Sequence, residues 1–261
     1  MTLKRFALGL CLLLIPFTAH SQQAAVKNPQ AVALAAKAFA AVSGPTSVND
    51  VTLTGTATST AGSDVESGTV TLQALAGSGS RMDLNLSNST RHEVRNLSSN
   101  STPQGYWVGS DGSSHAFSLH NCMTDAAWFA PQLTILSQLS NASLVASYIG
   151  EETRAGAPVQ HLHFALQSAS ADPTGLIQSL TGEEVYLDAT TFLPVAITFN
   201  AHPDSDAGIN IAVEIDFSSY QSVNGVQVPF RIQKLINNGL VLDLTINSAK
   251  INQGLTAADF S

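Results

Sequence analysis

The chain has 261 residues, 44% of them hydrophobic and only 11% charged, with a formal charge of −8. That length holds one good core and does not by itself demand a second domain. No Lys/Arg cluster follows the first few residues, which argues against nucleic acid and anionic membrane surfaces as electrostatic partners.

The chain opens with Lys4 and Arg5, an apolar run from residue 6 to 17 broken by Pro16, and then Ala19-His20-Ser21. Residues 1–21 read as a cleavable secretory signal, with the exported mature protein starting near Gln22. The run is shorter than the roughly 20 residues of a membrane span. Cys11 lies inside that run after Leu10, which is not a lipobox, so no lipid anchor is expected. Cys122 is then left without a partner and reads as a small, semi-buried hydrophobe.

A helix is expected next, capped by Asn28 with Pro29 as its first residue. Val32, Leu34, Ala35, Ala38, Phe39 and Val42 give it one narrow apolar face, and Ser43-Gly44-Pro45 stops it. Strands follow at 50–58, 66–76, 80–87, 90–98, 104–109 and 114–120, parted by turns such as Gly77-Ser78-Gly79 and Asp111-Gly112. Within them, alternate residues are apolar: Val70, Leu72 and Ala74 share a face, as do Met82, Leu84 and Leu86.

Between residues 125 and 140 the period lengthens, and Trp128, Leu133, Leu136 and Leu139 predict one kinked or two short helices around Pro131. A second strand series is read at 143–153, 158–168, 183–188, 193–201, 208–220, 226–237 and 239–251, with a short helix at 173–181 after Asp172-Pro173. Asn237-Asn238-Gly239 is a hairpin turn. No repeat of fixed period and no linker divides these segments, so residues 22–261 are expected to form a single domain.

The fold class that results is mainly β with some α. It is a broad antiparallel sheet of about 10–12 strands with one greasy and one wet face, which strong twist would curl into a half-barrel. About ten strands spaced about 4.8 Å apart would span nearly 50 Å if flat. Three short helices, each about 10 Å wide, do not cover that area. Either an apolar concavity able to take an acyl chain remains, or inward residues such as Phe164, Phe199 and Phe217 pack on one another and fill it.

Three groups of residues in the C-terminal half carry a family resemblance. The first is Tyr148-Ile149-Gly150-Glu151-Glu152 with Gly156-Ala157-Pro158 and His161-Leu162-His163-Phe164. The second is Val185-Tyr186-Leu187-Asp188 with Leu193-Pro194-Val195. The third is Phe217-Ser218-Ser219-Tyr220, Val223-Asn224-Gly225-Val226, Val228-Pro229-Phe230, Ile251-Asn252 and Phe260. In this order they resemble the periplasmic lipoprotein-carrier (LolA/LolB-like) superfamily, well over residues 143–261 and only by element order before that. The resemblance implies a curved half-barrel wrapped over the N-terminal helix and the short central helices with an apolar concavity, and a periplasmic binding or carrier protein without catalysis or cofactor that holds a lipid or the acyl chains of a lipoprotein. The alternative it leaves open is a sensor or interaction module of the same fold that binds a periplasmic or membrane protein. It matches no residue to the arginine that ties lid to barrel in the carrier, for which Arg81, Arg91 and Arg95 are candidates.

The residues expected to line the apolar cavity are Leu72, Met82, Leu84, Trp107, Phe117, Trp128, Phe129, Leu133, Leu136, Leu162, Phe164, Ile197 and Phe199. Trp107, Trp128 and Phe129 either fill the core or gate the mouth. His161 and His163 share a strand face and are expected to point to solvent, since an H-x-H pair needs further ligands to hold zinc. Glu183 and Glu184 are adjacent on a strand, face opposite ways, and read as solvated charges rather than an acid/base pair. No nucleophile elbow, zinc-protease helix, P-loop or dinucleotide fingerprint is present.

Overall fold

The computed structural model describes residues 25–77, 79–124, 126–168, 172 and 174–261. The expected signal segment with Cys11 and the start at Gln22 lies outside the described residues, as do Ser78, Asp125 and Pro173 within their expected turn and helices.

Helix α1 (Pro29–Ser43) begins as its sequence dictates. The Asn28 carboxamide oxygen accepts from the backbone N–H groups of Gln30 and Ala31 at 2.9 and 3.1 Å, and Pro29 occupies a position where its missing N–H costs nothing. Gly44, at φ 57°, ends it in a conformation that a side chain resists. Ala31, Leu34, Ala35, Ala38 and Val42 form the buried face, and three alanines let the helix axis approach the sheet closely.

Thirteen strands form one antiparallel sheet, against the ten to twelve expected. They are β1 (Asp50–Ala61), β2 (Asp64–Leu75), β3 (Gly79–Leu86), β4 (Thr90–Leu97), β5 (Pro103–Val108), β6 (Ser114–Ala116), β7 (Leu144–Arg154), β8 (Ala157–Leu166), β9 (Glu183–Asp188), β10 (Pro194–Ala201), β11 (Ile211–Val223), β12 (Val226–Ile236) and β13 (Gly239–Ile251). Their order across the sheet is β6-β5-β4-β3-β2-β1-β13-β12-β11-β10-β9-β8-β7, so two meanders are joined where β1 pairs with β13. The sheet ends in two free edges and is not a closed barrel.

Two glycines are required where strands meet most closely. A Cβ on Gly55 would lie 2.1 Å from the Thr245 carbonyl oxygen, beside the irregularity in the β1/β13 register, and one on Gly68 would lie 1.9 Å from that of Asn85. The β12–β13 hairpin turns through Asn237 and Asn238, both with positive φ, as a tight turn of this hand demands.

The segment from residue 119 to 143 departs from expectation. It contains 3-10 turns at Leu119–Cys122, Pro131–Leu133 and Ile135–Gln138 instead of α-helices. Leu133, Leu136 and Leu139 recur every third residue, which is the 3-10 period. Pro131 also removes an N–H that an α-helix would need, and the Thr134 hydroxyl donates back to the Pro131 carbonyl at 2.9 Å. The expected helix at 173–181 is shorter, forming α2 (Leu176–Leu180).

The apolar sheet face is nevertheless roofed. Helix α1 lies against β7 and β12, and the 3-10 segment packs beside α1, so irregular chain supplies the cover that helices alone could not. One large cluster joins both halves of the sheet, α1 and this lid into a single core. Among the described residues no helix is long and apolar enough to cross a membrane.

Candidate functional site

Strand register builds the concave face row by row. Leu53, Leu72, Met82, Glu93 and Trp107 lie side by side across β1 to β5, and Leu162, Val185, Ile197, Ile215 and Lys234 across β8 to β12. Ten of the residues expected to line a cavity are buried in the core: Leu72, Met82, Leu84, Trp128, Phe129, Leu133, Leu136, Leu162, Phe164 and Ile197. Trp107, Phe117 and Phe199 are half-buried. Leu72, Met82, Leu84, Leu162, Phe164, Ile197 and Phe199 lie on the sheet strands, Trp128, Phe129, Leu133 and Leu136 in the lid above them, and Trp107 and Phe117 at the β5–β6 rim.

The lid is held by polar contacts along its length: the Asn121 carboxamide donates to the His202 carbonyl at 2.7 Å and accepts from the His202 N–H at 2.9 Å, and the His120 ring meets the Pro203 carbonyl at 3.0 Å. Arg95 donates to the Asn121 carbonyl at 3.1 Å and to the Thr124 hydroxyl at 3.3 Å. The buried Gln132 side chain donates to the Gln227 carbonyl of β12 at 2.9 Å. At the far end, the Lys27 ammonium donates to the carbonyls of Leu139 and Asn141 at 2.8 and 2.7 Å, and residues 26–28 pair with Ala146 at the edge of β7. A cavity of about 290 Å³ remains between the lid and the ends of β3 to β5, bordered by Arg95, Asn96, Cys122 and Leu133. Burial in its wall raises the pKa of the Cys122 thiol.

Charge on this concave surface was not anticipated. Strand β4 turns Arg91, Glu93 and Arg95 inward, because each pairs with an inward-facing residue of β3: Leu84, Met82 and Ser80. Its one buried apolar residue, Val94, faces outward, where the C-terminal 3-10 turn (Ala257–Phe260) lies against β3 and β4. Lys234 stands in the apolar row of β12, between Ile215 and Leu242 on its neighbouring strands. Three rim and lid aromatics carry a cation on their faces: Arg91 over Trp107 at 4.5 Å, Arg95 over Phe117 at 5.1 Å and Lys234 over Trp128 at 5.0 Å. Burial depresses the Lys234 ammonium pKa, partly offset by Glu93. Burial also works to raise the Glu93 carboxyl, but Lys234, Arg91 and Arg95 outweigh it and hold Glu93 below the ordinary carboxylate value. Strands β4 and β12 are five positions apart in the sheet, about 24 Å if flat. Their charges sense one another because the sheet curls them face to face.

On the convex face, His161 and His163 do share one side of β8, as expected, but they are paired rather than free. Both His161 ring nitrogens meet carboxylates, Glu152 at 2.8 Å and Glu184 at 2.9 Å, and His163 meets Glu184 at 2.9 Å. The hydrogen bond to Glu184 raises the His163 pKa; Glu184 itself, despite its burial, is held low by the two histidines. Arg154 pairs with Glu214, and burial together with Glu214 pushes Asp216 up to about 6. A groove of about 410 Å³ runs beside His163, Glu184 and Glu214. Glu183 corrects the reading of a solvated charge, since it is 2% exposed and occupies the row between Phe164 and Phe199. Among the described residues no three His, Cys, Asp or Glu side chains converge as a metal site would need.

No family model matches this chain, and no curated protein matches it. Solved structures do. A domain from Vibrio parahaemolyticus assigned to outer membrane lipoprotein sorting aligns over 89% of this chain and 96% of its own, with a TM-score of 0.57 and 14% identity. A DUF1329 family protein from Desulfovibrio piger aligns over 89% and 96%, with a TM-score of 0.56 and 10% identity. A LolA superfamily protein from Nitrosomonas europaea aligns over 91% and 98%, with a TM-score of 0.51 and 12% identity. The chain has the LolA-like fold, an open antiparallel half-barrel closed over by a helix and a lid.

Proposed function

We propose that this chain is a periplasmic binding or carrier protein that holds a lipid, or the acyl chain of a lipoprotein, against the concave face, without catalysis. The observation that carries this reading is the roof. A largely apolar sheet face is covered on its open side by 3-10 turns that side-chain hydrogen bonds and apolar packing hold in place, with no strand ladder, so it can be uncovered without unpairing a strand. Moving the lid bares Leu72, Leu84, Leu162 and Phe164, and a guest chain replaces the lost contacts. Burial contributes about 0.8 kcal/mol per methylene, so a chain of about 14 methylenes gains on the order of 10 kcal/mol before the costs of ordering it. The likeness in fold to a lipoprotein-sorting domain supports the same reading.

The test is extraction of gently purified protein with organic solvent and mass spectrometry of the extract, beside titration with a fluorescent fatty acid. A stoichiometric acyl species and saturable uptake are expected. Protein that carries no lipid and ignores the fluorescent chain, yet retains a protein partner on crosslinking, would overturn the carrier reading in favour of an interaction module.

A further inference from the structure

The concave face is not uniformly oily, and where β4 and β12 come face to face its polar part is one-sided in charge. There Lys234, Arg91 and Arg95 meet one carboxylate, Glu93, while Glu183 lies on β9 between Phe164 and Phe199 and Glu66, near the start of β2, is engaged by Asn88 and Ser89. Arg91 is engaged by Glu93 at 2.7 Å, and Arg95 by the lid. Lys234 is different. Among the described residues nothing accepts a hydrogen bond from its ammonium, which rests on the face of Trp128 and is attracted by the Glu93 carboxylate without bonding to it.

A Lys side chain has three donors and ordinarily keeps them in water or on a carboxylate. Here the stem lies in a row of apolar neighbours, Ile215 and Leu242, and the ammonium is half-buried beneath a lid tryptophan. A charge so placed costs free energy unless something pairs with it. The strip also reaches solvent at its other end, where the Arg91 side chain is 40% exposed and stacks on Trp107. A guest entering at the β4–β5 rim would therefore meet Arg91 first, run its chain along the apolar rows, and bring an acidic head within reach of Lys234.

We propose that the concavity selects an amphiphile with an anionic head, a carboxylate or a phosphate, whose charge is received by Lys234 and Arg91 while its chain lies on the apolar rows. The inference rests on the acyl-binding reading and narrows it, favouring free anionic lipids over the neutral diacylglyceryl group of a lipoprotein. It is consistent with the absence of a basic surface patch, because three cations scattered through the sequence at 91, 95 and 234 are assembled only by the curl of the sheet.

The experiment compares four sixteen-carbon probes that differ only in their heads: palmitate, hexadecyl phosphate, hexadecanol and hexadecylamine. Affinities are measured by calorimetry on the whole secreted chain. The wild type is expected to bind palmitate, hexadecyl phosphate or both at least about ten-fold more tightly than the alcohol, with the amine weakest, as charge-assisted hydrogen bonds imply. Which anion leads tells carboxylate from phosphate. Lys234→Met keeps the stem length and is expected to abolish the preference, palmitate and hexadecyl phosphate falling to the variant's own affinity for hexadecanol; Arg91→Gln reduces the preference in part. Circular dichroism of each variant checks that it folds, and Arg91→Gln, at the rim, carries the test if Lys234→Met does not. Equal affinity for palmitate, hexadecyl phosphate and hexadecanol in the wild type, or a preference intact in folded variants, overturns the anionic subsite and leaves acyl binding standing. Failure of all four probes to bind overturns both.

Discussion

Substituting Arg95 by Met is expected to loosen the lid without loosening the sheet. The guanidinium makes two hydrogen bonds to the lid, to the Asn121 carbonyl and the Thr124 hydroxyl, and covers Phe117. Methionine keeps the apolar contact with the ring and deletes both donors. A hydrogen bond from a charged group is worth about 1.5–3 kcal/mol, and the two together are set at about 1.5 kcal/mol because 3.1 and 3.3 Å are long for charge-assisted bonds and water reaches the vacated acceptors once the lid lifts. At 1.4 kcal/mol per factor of ten, the open population rises about ten-fold. Amide hydrogen exchange reads this directly: the N–H groups of Ala130, Leu133 and Ser137, bonded within the lid, should exchange about ten times faster. Amides of Leu53 and Leu162, inside paired strands, should not change. Unaltered lid rates, or lid and sheet amides accelerating together, would refute the idea of a roof that opens independently.

Three other outcomes follow from the same structure. Phe164→Ala, at a fully buried position beneath the lid, should cost about 3–5 kcal/mol in urea unfolding, whereas Ile149→Ala, at an exposed position on β7, should change stability by less than about 0.5 kcal/mol. Gly68→Ala should destabilise strongly, since its Cβ would sit 1.9 Å from a backbone oxygen of β3 that has no freedom to move; a melting temperature equal to wild type would contradict the close approach. Between pH 5 and 8 stability should fall. Asp216, raised to about 6, and His163, raised above its ordinary value, both bind protons more tightly in the folded state, so each contributes stability below its unfolded pKa that is lost as pH rises through the folded one. Asp216→Asn with His163→Gln should flatten that slope, and an unchanged slope in the double variant would show that the convex network is uncoupled from folding.

Alternation made the sheet legible. Strands such as β2 and β11 carry the apolar/polar beat, and each expected strand has an observed counterpart within a few residues. The lid was less legible because leucines at 133, 136 and 139 fit a three-residue turn as well as a helical face, and only the hydrogen bonding around Pro131 and Thr134 decides between them. The charged strip escaped notice for a more instructive reason. In β4 the period-two rule implies that Val94 points inward with its apolar kin, but the C-terminal turn supplies a second apolar surface outside, and the strand takes the opposite face. Lys234 left a readable trace: Val226, Val228, Phe230, Ile232 and Ile236 share its side of β12, so a cation stands alone in an apolar row. What sequence could not show was that β4 and β12, distant in order, face each other once the sheet curls.

The measurement that bears most directly on the account is photo-crosslinking with a diazirine-bearing palmitate, followed by peptide mapping. The account predicts adducts on the concave rows and the underside of the lid, at residues such as Leu72, Leu84, Trp128 and Leu136, with excess unlabelled palmitate suppressing them. Adducts confined to the convex face around His161, His163 and Glu184, or none that palmitate suppresses, would contradict it.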